Sequence, residues 1–558
     1  MERNKASRGV LRRVIIAASI GTAFEWYDFF LFGALASVLA KHFFSSVPPS
    51  AAFLLALGTF AAAPLMRPVG ALIFGRLGDR KGRKIGFLLT VSIMGAATFL
   101  IGILPTYGHV GAAAPILLVA LRLLQGVALG GEYGGAATYV AEHASPRNRG
   151  WLTSWIQSSA AFGLIAALGV TFMLRWTFGE AAFESWAWRL AFLLSVVPLA
   201  LSLRLRLRLN ESPEFMLMSL SDQTSRAPLR EAFLEWPNLK RVLIALFGVT
   251  MAQGAVWYCA FFYSQFFLEK VLKVDPQTVT LLFLLGTLVS VALYVFFGWA
   301  ADRIGRKPLM AFGMMLAAVA FVPGFHALTR AANPALAEAM ERSPVEVAAA
   351  PADCTAMFDP VGKRKPVTGC DVARRTLADL GISYARSDAP AGSAALISIG
   401  AETISVPDLR QASPEQAAAE AKAFSKLVAA SVETHGYPAK ADPDRLDFWR
   451  TLSILLVLIT AASALYGPQA AWLVEMFPTR IRYSAMSLPL HIGGGWFGGL
   501  LPAVAFSLVA ASGDIYMGLW WPVAVAAVGA VTTILVVPET LRGRPRLRLG
   551  LRTAGRLA

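Results

Sequence analysis

GRLGDRKGRK at residues 75–84 and GWAADRIGRK at residues 298–307 agree at six of ten positions and lie 223 residues apart. Each follows a long apolar run. Further pairs extend the match outward. Glu142, Pro146 and Arg149 close one apolar run, and Glu475, Pro478 and Arg480 close another, offset by 333 for the glutamates and 332 for the prolines. NESPEF at 210–215 is answered by PETLRG at 538–543, about 328 residues on. The chain therefore reads as two similar halves in parallel orientation. The offset jumps by about 110 between the first pair and the second, so an extra segment of that length interrupts the second half. It is visible as a polar stretch from Arg330 to Asp447.

Composition says what the repeated unit is made of. Of 558 residues, 56% are hydrophobic and 15% charged, with a mean hydropathy of +0.56. Soluble domains carry roughly 25% charged residues. A bilayer core asks for about 20 apolar residues per helix, and twelve runs meet that need. Six lie near 14–39, 51–75, 85–104, 113–141, 151–174 and 186–207; six near 241–268, 277–299, 308–328, 450–475, 483–510 and 516–537. The first follows a basic start, as a signal peptide would, but it is too long for one and carries two acids, which makes it an uncleaved span. The expected fold is an all-α membrane protein of twelve transmembrane helices in two six-helix halves, with a small α+β extracytoplasmic insert. The expected boundaries are 1–207 for the first half, 208–240 for a linker, 241–330 for the first three spans of the second half, 331–447 for the insert and 448–558 for the last three spans and a basic tail.

The net charge of +16 does not point to nucleic acid, because its placement is topological. Lys and Arg gather in the N-terminal tail (Arg3, Lys5, Arg8, Arg12, Arg13), after the second, sixth and eighth runs, and in the tail from Arg542. All lie on one side of a twelve-span chain. The positive-inside rule makes that side cytoplasmic, with both termini. The insert then faces outward. It holds Cys354 and Cys370, two of the three cysteines. On an oxidising face such a pair forms a disulfide; two free thiols are the alternative. Within the insert, Asp371–Leu380 suits a helix stopped by Gly381. Ile397, Ile399, Ile404 and Val406 alternate around Gly400 as a hairpin would. Ser413, Pro414 and Gln416 open a helix with a capping box, and Gly436 ends it.

The doubled loop and the run RLLQG at 122–126 resemble the signature motifs of the major facilitator superfamily. EWYDFFLFG in the first run, RPVGALIFG in the second and GGEYGGAATYVAE in the fourth resemble, more narrowly, its metabolite:proton symporter branch. The resemblance covers the twelve runs and not the insert. It implies a carrier of carboxylates such as 2-oxoglutarate, citrate or shikimate, or of zwitterionic osmolytes such as proline and betaine.

Buried charges suggest how such a carrier would work. Glu25 and Asp28 lie roughly 15–20 Å into the first span. Charges at that depth cost about 3 kcal/mol or more each unless they face the bundle interior and find partners. Arg67 and Arg122 sit at similar depth in the second and fourth spans. The four could form a permanent ion-pair network, or one that breaks and reforms. In the second case a substrate anion takes an arginine, whose fork grips carboxylates, and the released acid binds a proton. Gln125 and Tyr133 share the face of Arg122, whereas Glu132 points about 80° away. The second half offers Gln253, Trp257, Tyr258, Tyr263, Tyr294, Tyr466, Gln469, His491 and Trp496, as cavity lining or as interfacial belt and packing. The repeated loops read as latches at the cytoplasmic mouth, comprising Gly75, Asp79, Arg80 and Arg83, then Asp302, Arg303 and Arg306. Each aspartate would meet a helix N-terminus of the other half, and the basic residues would pair with Glu142 or Glu475.

The expected function is proton-coupled uptake of a small organic anion or zwitterionic osmolyte by a monomer in a bacterial inner membrane, with the insert periplasmic. A proton-antiporting exporter on the same fold is the alternative. A sensor would need a cytoplasmic signalling domain, and the linker is too short for one. No nucleophile triad, metal cluster or nucleotide loop points to an enzyme, and no cofactor is implied. Deletion of 335–445 is expected to spare uptake if the insert is accessory.

Overall fold

The computed structural model describes residues 2–46, 49–354 and 367–541. The basic tail from Arg542 lies outside the described residues, as do the side chains of Arg3, Lys5, Arg8 and Arg12. In the first half, α1 (Glu2–Ala34), α2 (Pro49–Lys81), α3 (Arg83–Ile103), α4 (Ala113–His143), α5 (Arg149–Ala182) and α6 (Val196–Leu207) follow in order. The second half opens with α7, the helical stretch Trp236–Val271, in which α-helix alternates with π-helical turns. Then come α8 (Pro276–Ile304) and α9 (Arg306–Ala332). The insert contributes α10 (Gly369–Leu380) and α11 (Pro414–Thr434), and the chain closes with α12 (Phe448–Met476), α13 (Arg482–Ile492), α14 (Leu501–Ser512) and α15 (Trp520–Leu535).

Among the described residues, nine helical stretches are long and apolar enough to cross a membrane, against twelve apolar runs in the sequence. Three features make the difference. Residues 149–207 run as one stretch of 59 residues, which contains two runs and breaks at Gly179 (φ +78°). In α2 the side chains at 51–54, 57, 60 and 61 lie outside the described residues, so it is not among the nine. The eleventh run is divided into α13, a π-helical segment Gly493–Gly498 and α14.

Within the first half, α1 packs on α5, and α4 packs on α2 and α3; within the second, α12 packs on α8 and α9, and α9 packs on α15. The halves meet along two seams, α2 with α13 and α5 with α8. At one, a Cβ on Gly75 would lie 2.7 Å from the Ser484 Cα, so only glycine allows the approach. The repeated loop is also explained locally. A single residue, Gly82 (φ +113°), separates α2 from α3, and Gly305 (φ +122°) separates α8 from α9. L side chains disfavour that backbone region. A Cβ there would also strike the carboxylate of Glu211 or Glu539. Those carboxylates accept from the Arg83 and Lys84 amides and from the Arg306 and Lys307 amides, neutralising the new helix N-termini.

The segment between α9 and α12 is a four-stranded sheet, order β2-β1-β3-β4, with β1 Val345–Ala349, β2 Ala385–Asp388, β3 Leu396–Ile399 and β4 Glu402–Ser405. The β3–β4 hairpin turns at Gly400, α10 ends at left-handed Gly381, and the Ser413–Gln416 capping box opens α11. The parallel β1–β2 pair has no local sequence signal, because parallel partners are joined by a crossover rather than a turn. Cys354 and Cys370 are joined by a disulfide, with Cα atoms 5.1 Å apart. The sheet domain is fastened to the second half alone through the hydrogen bonds among the described residues. Tyr384 N donates to Gly513 O at 2.9 Å, Ala441 N to Lys273 O at 3.1 Å, Arg374 Nη2 to Ala511 O at 2.9 Å and Asn333 Nδ2 to Leu272 O at 3.0 Å. Its apolar core is continuous with that of the second half.

Gly513 (φ +83°) would place a Cβ 2.5 Å from the Tyr384 ring. Gly513→Val is expected to cost about 2 kcal/mol in backbone strain and to loosen the docked domain. Earlier thermal unfolding of the purified protein and faster proteolysis within residues 335–445 are the expected readouts.

Candidate functional site

The charged residues inside the first half do not form one network. Asp28 and Arg122 form a closed set. Arg122 Nη1 lies 3.1 Å from Asp28 Oδ2. Thr98 Oγ1 and Gln125 Nε2 each donate to Asp28 Oδ1 at 2.9 Å, and Arg122 Nη1 also donates to Gln125 Oε1 at 2.7 Å. The guanidinium lies over the Phe32 ring, 4.1 Å from its centroid. Both charged residues are 1% exposed. Each charge is tolerated at this burial by the other, and removing one partner of such a pair costs about 3–5 kcal/mol. Arg122 Nε and Nη2 have no hydrogen-bond partner, so the cation is held by one nitrogen and a ring face.

A second buried pair joins Glu132 to Arg206. Arg206 Nη1 donates to Glu132 Oε2 at 3.0 Å, and Nη2 pairs with Oε1. Thr90 Oγ1 donates to Glu132 Oε2 at 2.7 Å, and the guanidinium stacks on Phe87 at 3.4 Å. Arg206 reads as part of a topological basic cluster in the sequence. Nothing local reveals that it turns inward.

Glu25 and Arg67 stand outside both pairs, with Arg67 between Phe29 of the first half and Tyr258 of the second. Glu25 Oε2 and Arg67 Nε have no partner, although Arg67 is the cation whose field acts most strongly on Glu25. Glu25 and Arg67 keep 6% and 8% exposure, against 1% at the Asp28 pair. Arg67 lies beside the Tyr258 hydroxyl, 5.8 Å from the Phe29 centroid and within the electrostatic reach of His491. Tyr133 stacks on Tyr466 across the halves at 6.2 Å, and its hydroxyl accepts from Gln157 Nε2. Two of the aromatic candidates go elsewhere. Tyr263 is buried in the second half's own cluster with Phe267 and Phe325, and Trp496 is 45% exposed on the outside.

At the end of the bundle that bears the repeated loops, the two halves are latched twice. Asp79 accepts from the Tyr483 and Ser484 amides at 3.1 and 2.8 Å, capping α13. Asp302 accepts from the Gly150 and Trp151 amides, both at 2.8 Å, capping α5. Each aspartate thus meets the positive end of a helix in the opposite half. Arg83 binds Asp79 at 2.8 Å and Glu142 at 3.4 Å; Arg306 binds Asp302 at 2.9 Å and Glu475 at 3.2 Å. Two further bridges cross between halves, Arg482–Glu142 at 2.7 Å and Arg149–Glu475 at 3.5 Å. Three expectations are corrected here. The partner of Arg149 in the repeat is Arg482, not Arg480, which lies outside and pairs with Glu231 at 3.1 Å. The equal seven-residue spacing from Glu142 and Glu475 is the signal that finds it. Arg80 and Arg303 are exposed and take no part in the latch; Arg303 lies over the Trp299 ring. The reversals at Gly82 and Gly305 explain this, since they turn Arg83 and Arg306, the first residues of α3 and α9, back onto the aspartates at 2.8 and 2.9 Å.

With the geometry in hand, comparison with known proteins is decisive for the family. Residues 14–232 and 220–340 match the family model described as sugar (and other) transporter, so the chain belongs to that family. Its members are carriers rather than enzymes. The proline/betaine transporter of Escherichia coli K12 is 34% identical over 323 residues, 57% of this chain and 65% of the relative; the match thus spans about two thirds of that protein. The shikimate transporter of the same strain is 35% identical over 320 residues, covering 57% of this chain and 72% of the relative. Among solved structures, the proton:xylose symporter XylE of the major facilitator superfamily aligns over 96% of this chain and 97% of its own, with a TM-score of 0.60 and 16% identity. The fold is therefore that of the major facilitator superfamily.

The latch generates a prediction. Asp302→Asn weakens two charge-assisted hydrogen bonds, each worth about 1.5–3 kcal/mol. A cysteine introduced as Ser154→Cys, at a buried position against Gly298, is expected to react with a thiol reagent several-fold faster in that background. Equal reactivity with Asp302 intact would show that the aspartate does not hold the halves together.

Proposed function

We propose that the protein is a proton-coupled carrier that takes up a small organic carboxylate or zwitterionic osmolyte by alternating access. The membrane region has twelve spans. Residues 149–207 supply two of them, and α2 and the divided α13–α14 segment supply two more. The asymmetry of Lys and Arg places both termini in the cytoplasm, the repeated loops at the cytoplasmic mouth and the disulfide-bearing insert in the periplasm. The family and the named substrates of the relatives, proline, betaine and shikimate, support this reading.

The observation that carries the mechanism is the division of labour among the four central charges. Arg67, at the seam with an unpartnered nitrogen, receives the substrate carboxylate. Asp28, sealed against Arg122, is the proton site. Protonating Asp28 cancels its charge and leaves Arg122 unneutralised. The extra positive potential then favours anion binding at the seam, and by reciprocity a bound anion favours the proton. The latches hold the cytoplasmic mouth shut in the conformation described above. Their rupture opens the site inward.

Two variants test this in proteoliposomes. Asp28→Asn is expected to abolish proton-driven accumulation while substrate exchange persists. Arg122→Ala is expected to abolish uptake although the protein still inserts. Substrate-dependent proton influx at the wild-type rate in Asp28→Asn, or wild-type uptake in Arg122→Ala, would remove the pair from the coupling mechanism. Proton efflux against substrate influx would select the antiporter instead.

A further inference from the structure

The seam between α5 and α8 carries a groove on the outer wall of the bundle. The two helices approach most tightly at two glycines. A Cβ on Gly150 would lie 2.5 Å from the Gly298 carbonyl oxygen, and one on Gly298 would lie 2.5 Å from the Ser154 Cβ. Beside that crossing lies an open cavity of about 530 Å³. It is lined by Trp151 and Trp155 of α5 and by Leu288, Val295, Phe296 and Trp299 of α8. Phe296 stacks on Trp299 at 6.0 Å, and the two are 53% and 43% exposed. Both helices belong to apolar stretches that cross the membrane, so the groove opens to lipid.

Its length and its one charge narrow the occupant. From Leu288 to Trp299, α8 advances about 16 Å, close to the ~15 Å that one leaflet contributes to the hydrocarbon core. Arg303 lies about 6 Å further along the helix, at headgroup depth. Its guanidinium sits over the Trp299 ring, 3.8 Å from the centroid, and the residue is exposed. Among the described residues it forms no ion pair. The acid beside it, Asp302, is engaged by Arg306 and by the Gly150 and Trp151 amides. A ring under the guanidinium leaves the N–H donors along its edge for an oxyanion, and phosphate suits that fork. A zwitterionic headgroup adds an ammonium that Arg303 repels. A second copy of the chain would bring its own basic loops to this level, whereas a phospholipid brings a phosphate with an acyl chain attached.

We propose that the groove binds an anionic phospholipid of the leaflet next to the repeated loops, its phosphate on Arg303 and one acyl chain along Trp151, Trp155 and Trp299. The first half supplies α5 and the second α8, so a seated chain touches both. Binding then favours the arrangement that has the groove over one in which the helices part. The lipid acts together with the Asp302 latch, because Trp151 both lines the groove and donates its amide to that carboxylate. None of this depends on the substrate or on the coupled ion.

The test uses the purified full-length protein in nanodiscs that contain phosphatidylglycerol or phosphatidylcholine with a photoreactive diazirine in one acyl chain. Crosslinks are mapped on peptides. Phosphatidylglycerol is expected to label residues 151–155 and 288–299 about tenfold more strongly than phosphatidylcholine, the worth of one charge-assisted contact. Arg303→Gln is expected to remove that excess. Ala292→Trp, which fills the groove from an exposed position, is expected to remove labelling there by both lipids. Unlabelled phosphatidylglycerol is expected to slow thiol modification of the Ser154→Cys variant several-fold, and to lose that effect when Arg303→Gln is added. Equal labelling by the two lipids, or an excess that survives Arg303→Gln, overturns the anionic site. Labelling spread evenly over the outer faces of the other spans shows bulk lipid only and overturns it as well. The expected labelling with unchanged Ser154→Cys reactivity overturns the hold on the seam.

Discussion

The structure depends on a carboxylate in one half finding the N-terminus of a helix in the other. Asp79 accepts from two free amides in the first turn of α13, and Asp302 does the same for α5. Each contact satisfies orphan backbone donors that no intrahelical carbonyl can reach. It also places a full negative charge at a positive dipole end. The rest of the latch is arranged around that contact. Arg83 and Arg306 neutralise the aspartates and also reach Glu142 and Glu475. Arg482 and Arg149 then reach those glutamates from the opposite half. Most of these charges are buried, so none can be left unpaired cheaply. Such a latch favours one closed arrangement over a graded set of partial openings.

The same repeat produces opposite results at mid-bundle. The loops repeat the latch residues at the same spacing, yet the mid-bundle charged pairs among the described residues are confined to the first half. The second half answers with amide and aromatic groups, such as Gln253, Trp257 and Tyr466. An aromatic or amide wall shapes a space without the cost of burying another ion. The asymmetry gives the seam a charged side and a ring-lined side. The sheet domain adds a second asymmetry, because its hydrogen bonds tie together the loop after α7 and the loop after α14. The outer ends of α7 and α14 are thereby fastened into one body.

Much of this was legible in the residues. The duplicated loop, the two halves, the latch aspartates and the insert's hairpin, helix cap and stop glycines all rest on local signals. Gly82 and Gly305 recur because a one-residue reversal needs their backbone freedom. The four central charges were legible as a group, but not as two groups. Glu25 and Asp28 lie three residues apart on α1, about 60° from each other around the helix axis. That small rotation sends Asp28 into the first half and leaves Glu25 at the seam. Arg206 was hidden for a related reason: at a helix end, nothing in the sequence tells an inward guanidinium from an outward one.

The sequence by itself determined the class of molecule, because hydropathy, the doubled loop and charge placement are properties of chain segments. It also determined which ionisable groups must be buried. Only the tertiary structure decided which of them pair. Arg122 took Asp28, Arg206 took Glu132 and Arg482 took Glu142, while Glu25 and Arg67 stayed outside those pairs. A buried charge accepts whatever opposite charge packing brings within about 3–4 Å. That is settled by how helices far apart in the chain come together, and no spacing along one helix encodes it.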